Sequence, residues 1–128
     1  MMEIKYVPLD SLILDPRNPR LHSPKQITQI GRSINTFGFI VPAIVDATSH
    51  VLAGHGRIAG ARLAGLTAIP VVRVEHLTPA QMRAFKIADN RLAENADWDK
   101  PLLAEQFKIL AEAEIDFSLE ITGFVALA

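Results

Sequence analysis

Val51-Leu52-Ala53-Gly54-His55-Gly56-Arg57-Ile58-Ala59-Gly60-Ala61-Arg62-Leu63-Ala64-Gly65 is an apolar run that breaks at Gly-His-Gly-Arg and passes directly into an alanine-rich stretch closed by glycine. It reads as strand, tight loop, helix. Such a junction leaves the first backbone N–H groups of the helix without intrahelical acceptors, and the helix dipole adds roughly half a positive charge at the same point. A cation in the first turn opposes that dipole. Arg57 therefore makes sense there when something negative visits, and the loop is a candidate phosphate site. The alternative for the same residues is a plain turn whose arginine meets water or a carboxylate.

Around this junction short strands and helices alternate. Pro42 to Asp46 and His50 to Ala53 read as two strands around Ala47-Thr48-Ser49, and Ile69 to Val74 is a β-branched strand after the helix. Upstream, Ile4 to Leu9 looks like a strand, and Leu12 to Arg20 is held extended by two prolines. Ser23-Pro24-Lys25-Gln26 has a capping-box pattern and starts a helix with Ile27, Ile30, Ile34 and Phe37 on one face, ended by Gly38. Thr78-Pro79-Ala80-Gln81 opens the longest helix, which runs to about Asn95. Its apolar stripe is Met82, Phe85 and Leu92, and Asp89 falls within it. A carboxylate buried there needs a partner or a metal opposite; at the edge of the stripe it would instead bond a neighbouring loop. Asn90 shares a face with Lys86 and Glu94. A last helix spans about Lys100 to Ala113, capped by Asp99, with Leu103, Phe107 and Leu110 inward. The expected fold is α+β, a small mixed sheet with packed helices, whose core includes Ile27, Ile30, Ile34, Val71, Val72, Phe85 and Leu92.

With 128 residues and 49% hydrophobic content the chain reads as one globular domain. Its formal net charge of -1 sets it apart from domains that hold a nucleic-acid backbone unaided, which are strongly basic. The absence of cysteine excludes disulfides, thiolate metal sites and thiol nucleophiles. No apolar run approaches a membrane span and no secretory signal is present, so the expected compartment is cytoplasmic, with no membrane partner. His22, His50 and His76 lack partners at metal-ligand spacing and read as surface residues. The serines show no hydrolase pattern.

Five features in order resemble one family. Pro16-Arg17-Asn18-Pro19-Arg20, Phe37-Gly38 before Ile40-Val41-Pro42, Gly54-His55-Gly56-Arg57, Gly65 before Ile69-Pro70-Val71, and Ala88-Asp89-Asn90-Arg91 are similar in order and spacing to the N-terminal domain of the ParB/sulfiredoxin superfamily, over roughly residues 4 to 95. The resemblance is greatest to the ParB-like nuclease domains that precede DNA methyltransferases or occur in phage and plasmid proteins. Those continue past a segment like Ile121-Thr122-Gly123-Phe124 into another domain. Residues 1–113 are accordingly expected to form the ParB N-terminal-like domain, with 114–128 leading into a further one.

The resemblance implies a nucleotide site. In partition proteins of this family the equivalent loop reads Gly-Glu-Arg-Arg and binds the triphosphate of CTP, and a downstream Glu-Asn pair places phosphates and magnesium. Gly54 and Arg57 match the ends of that loop, and Asp89 and Asn90 match the acidic-amide pair, with Asp89 as the metal residue. His55 stands where the family has glutamate, Gly56 where it has arginine, and Ala93 where a further arginine is expected. Each lost charge-assisted contact is worth about 1.5–3 kcal/mol, so triphosphate binding should be weaker. His55 would donate to a phosphate oxygen or shuttle a proton, its pKa lowered by the helix start; the alternative is a bond to a backbone carbonyl. Arg17, Asn18 and Arg20 are expected to converge on Arg57 from the early proline segment. The ligands implied are CTP or ATP with Mg2+, the partners a nucleotide, DNA reached through an additional domain, and a second copy in a homodimer.

Three functions fit these residues: a nucleotide-binding switch module in a DNA-associated protein, a metal-dependent DNA nuclease, and a dimerisation or protein-protein module without a ligand. The first is favoured, because a nuclease needs several carboxylates on its metal ions and the motif supplies only Asp89. Weak nucleotide hydrolysis stays open, and no residue is marked as catalytic. Sulfiredoxin chemistry is excluded with cysteine.

Overall fold

The computed structural model describes residues 2–18 and 20–124, so Pro19 of the early motif and the apolar end of the tail lie outside the described residues. Strands β1 (Ile4–Pro8), β2 (Ala43–Val45), β3 (Val51–Ala53) and β4 (Ala68–Arg73) form one sheet in the order β1-β4-β2-β3. β1 and β4 are antiparallel, β2 and β3 form an antiparallel hairpin, and β2 and β4 run parallel. The sheet is therefore mixed, as expected. Asp46 builds the hairpin turn by accepting from Thr48 and His50 backbone N–H groups, with Ser49 at φ 69°.

Helices α1 (Pro24–Phe37) and α2 (His55–Leu63) pack against each other and on one face of the sheet. The core between them joins Ile34, Ile58 and Ala61 to Ala43, Val45, Val51, Ile69 and Val71. Because β2 and β4 are parallel, the chain must cross over between them, and β3 and α2 supply the crossover. Close approach of the helices is possible where both carry glycine: a Cβ on Gly60 would lie 2.6 Å from Ile30 Cγ2 and 3.1 Å from the Gly31 backbone nitrogen. Helix α3 (Pro79–Glu94) lies against β3, and α4 (Lys100–Glu112) follows. The segment after α4 returns to α1, where Phe117 meets Phe37 edge-on at 5.7 Å.

Both Ser23 and Thr78 accept the backbone N–H three residues on. Only Thr78 completes its capping box. Gln26, the reciprocal partner expected for Ser23, turns its side chain to His22 instead.

The expected core is corrected at its edges. Ile34 and Val71 are buried, whereas Ile27, Ile30, Val72 and Phe85 are half-buried and Leu92 is 68% exposed. α3 has 16 residues, about 24 Å of helix, against a strand of three residues spanning about 10 Å. Its last turns have no sheet beneath them. Leu92 therefore faces solvent, and Asp89 is an exposed residue rather than a buried member of the stripe.

Candidate nucleotide site

The chain enters the site through Gly54, which caps α2 in the left-handed conformation at φ 107°. A Cβ there would lie 3.1 Å from Ala43 Cβ and 3.2 Å from Arg57 Nη2, so the turn needs glycine for both conformation and space. Gly54 brings no side-chain cap, and the first-turn N–H groups of His55, Gly56 and Arg57 have no carbonyl one turn back. These residues line a cavity of about 490 Å³.

Its other walls come from distant parts of the chain. Asn18 and Arg20 enter from the segment after β1, His22, Gln26 and Ile30 from the start of α1, Leu52 and Ala53 from β3, and Asp89, Asn90 and Ala93 from α3. The segment before Asn18 reaches the site because Ile13 pairs alongside the hairpin, donating to Ser49 and accepting from Val51. Gly54, His55, Gly56, Arg57, Asn18, Arg20, Asp89 and Asn90 thus converge as expected. Arg17 does not. It lies with Asp15, Arg83 and Lys86 on the opposite side of the segment, because its backbone turns back to bond Asp15 Oδ1 at 2.9 Å.

Arg57 is the most constrained cation. Its Nη2 donates to the Pro42 carbonyl at 3.2 Å, and its Nε is buried without a hydrogen-bond partner in the structure. Burial pushes its pKa down, opposed by the nearby Asp89 carboxylate. Arg20 is held by Glu94 at 2.9 Å. Both guanidiniums therefore face a carboxylate of α3.

His55 does not make the alternative bond to a backbone carbonyl. Its Nε2 lies 3.3 Å from the Asp15 backbone nitrogen and accepts that N–H, so Nδ1 carries the ring proton. Desolvation lowers its pKa most, with Asp15 opposing and Lys86 and His22 adding to the effect. Asp15 itself is fixed by Lys86 Nζ at 3.0 Å, and its carboxyl is held below the usual range by the Arg17 N–H and then by Lys86. Asn90 donates its amide to the Lys86 carbonyl at 2.9 Å, which leaves its Oδ1 as an acceptor or ligand. Among the described residues no three His, Asp or Glu are grouped to hold a metal ion.

Sequence reasoning missed His22 and Gln26, setting His22 aside as a surface residue. The only signal was local: a histidine immediately before the Ser23 cap, four residues ahead of a glutamine.

A family model for the ParB N-terminal domain matches residues 1–91. The chain is 35% identical over 80 residues to the ParB-like nuclease domain-containing protein YnaK of Escherichia coli strain K12, a match spanning 62% of this chain and 92% of that protein. It is 30% identical over 97 residues to the probable chromosome 2-partitioning protein ParB of Deinococcus radiodurans, covering 73% of this chain and 33% of that protein. The C-terminally truncated chromosome-partitioning protein ParB from Caulobacter crescentus, complexed with CTP-gamma-S, matches in structure with a TM-score of 0.74 at 25% identity, over 86% of this chain and 63% of that one. Sulfiredoxin from Arabidopsis thaliana shares the fold, with a TM-score of 0.55 at 21% identity over 65% of this chain and 96% of that one. The chain thus spans less than two thirds of either partitioning protein.

Proposed function

The chain belongs to the ParB N-terminal domain family, and on that premise we propose that its cavity binds the phosphates of a nucleoside triphosphate, CTP or ATP, so that the domain acts as a nucleotide-responsive module of a DNA-associated protein. One observation carries this reading. Arg57, His55 and the α2 N-terminus, Arg20 before α1, and Asn90 of α3 come from three separate stretches and line a single cavity. Free N–H groups at a helix start and a guanidinium fork are complementary to phosphate oxygens. The Caulobacter relative, bound to CTP-gamma-S, supports a nucleotide as the ligand class.

Magnesium fits as an ion that arrives with the nucleotide, since it is commonly held by one or two carboxylates together with phosphates. Asp89, with Asn90 Oδ1 beside it, would hold it, and the ion would neutralise phosphate charge. Asp89 so engaged would also release Arg57 from its carboxylate neighbour. The nuclease reading has less support, because a metal-dependent nuclease needs more than the single carboxylate that lines this cavity. Contact with DNA is assigned in this proposal to an additional domain, in a partition, methyltransferase, phage or plasmid setting.

A thermal-shift screen of the four ribonucleoside triphosphates with magnesium tests the proposal. Stabilisation by CTP or ATP is expected, reaching about 2.7 kcal/mol at one hundred times the dissociation constant. No shift with any triphosphate at millimolar concentration would overturn it.

A further inference from the structure

The cavity contains two histidines, and their hydrogen bonds assign them different chemistry. His55 Nε2 accepts the Asp15 N–H, so protonating that nitrogen would break the bond. His22 is held the opposite way. Its Nδ1 lies 3.0 Å from Gln26 Oε1, an oxygen that can only accept, so Nδ1 carries a proton whether or not the ring is charged. No hydrogen bond to His22 Nε2 is made by the described residues, and the ring lines the cavity.

The ring is seated over Gly56. A Cβ at that position would lie 2.8 Å from His22 Cε1, 3.0 Å from Nδ1 and 3.1 Å from Nε2. Gly56 has an ordinary helical backbone, so conformation does not demand glycine there. Space for the imidazole does. Gln26 gives up its half of the capping box to orient that same ring. Two positions are therefore adapted to a histidine that contributes nothing to the core.

From this geometry we infer that His22 is a phosphate-binding residue of the cavity, charging when an anion binds and donating from Nε2 to a phosphate oxygen, so that nucleotide affinity depends on pH through His22. This rests on the nucleotide reading of the cavity and adds its regulation. The charged and titratable groups around the ring are His55 and Arg57 of α2, Arg20 on its own segment, Asp89 of α3, and Glu94 of α3 through Arg20. His55 is held towards its neutral form by burial, and its Nε2 already accepts the Asp15 N–H. A bound anion favours the charged imidazole, so the His22 contribution is greatest at low pH and is lost as pH rises.

The test is calorimetric titration of CTP with magnesium into the 128-residue chain and its His22→Gln variant between about pH 5.5 and 8. Comparing the two proteins at each pH removes the titration of the nucleotide itself. The wild type should bind about tenfold more tightly than the variant at the acid end, or 1.4 kcal/mol, and the ratio should fall towards one at the alkaline end. Gly56→Ala, which retains Arg57 and His22 but pushes the ring aside, should bring the ratio to one throughout. A wild-type to variant ratio that does not change with pH, or a Gly56→Ala protein that keeps the wild-type profile, overturns the inference while leaving the nucleotide reading intact. Failure of the wild type to bind CTP or ATP at any pH overturns both.

Discussion

Replacing Arg57 with alanine separates a ligand-binding role for this side chain from a structural one. The native guanidinium makes one long hydrogen bond, Nη2 to the Pro42 carbonyl at 3.2 Å, and leaves Nε buried without a partner. Losing a bond of this kind costs about 1.5 kcal/mol, whereas removing a buried unsatisfied donor returns about 1–3 kcal/mol. The two effects nearly cancel, so the ligand-free variant should differ from wild type by less than about 1 kcal/mol, or about 4 °C in melting temperature for a chain of this size. Ligand binding is not compensated. A bidentate guanidinium-phosphate contact is worth about 3 kcal/mol, a factor of about 150 in dissociation constant. At a CTP concentration one hundred times the wild-type constant, the stabilisation should drop from about 2.7 to about 0.3 kcal/mol, or from about 10 °C to about 1 °C. Differential scanning fluorimetry with and without CTP measures both quantities. If Arg57→Ala lowers ligand-free stability by 3 kcal/mol or more, or if the CTP shift survives unchanged, Arg57 is a structural residue and the phosphate reading of the loop fails.

Three further outcomes are expected. Gly60→Ala should destabilise by about 1–3 kcal/mol in urea denaturation, since its Cβ would meet Ile30 Cγ2 at 2.6 Å and the Gly31 backbone at 3.1 Å, more than offsetting the roughly 1 kcal/mol gain in helix propensity; equal or greater stability would refute the close helix contact. His55, whose folded pKa lies below its usual 6.5, favours folding fully above that pH, and stability should decline as pH falls below it because the unfolded state takes up the proton first. Nitrogen-15 NMR of the imidazole should also show a neutral Nδ1–H ring, and a ring protonated on Nε2 would contradict the Asp15 bond. Binding of the isolated chain to duplex DNA should be weak, independent of sequence and abolished by moderate salt, because 13 basic residues are balanced by 14 acidic ones; a tight, salt-resistant complex with one DNA sequence would refute this.

Local physics made much of this protein legible in its sequence. The Gly54-His55-Gly56-Arg57 junction, the helix starts at Ser23 and Thr78, and the Ala47-Thr48-Ser49 turn all depend on residues within one or two turns of chain, where capping, left-handed glycine and strand alternation act directly. Tertiary structure decided what distance along the chain conceals. Leu92 and Asp89 follow the helical period as faithfully as Phe85, yet the strand beneath α3 is too short to cover them. Arg17 sits one residue from Asn18 and was drawn to the other side of its segment by the Asp15 turn. His22 carries only a weak local signal, its place before the Ser23 cap and ahead of Gln26, because the room for its ring comes from Gly56, 34 positions away. A turn or a cap is fixed by neighbours in sequence, whereas a cavity exists only where separate elements stop short of one another. That depends on packing, which the sequence encodes collectively and no single stretch displays.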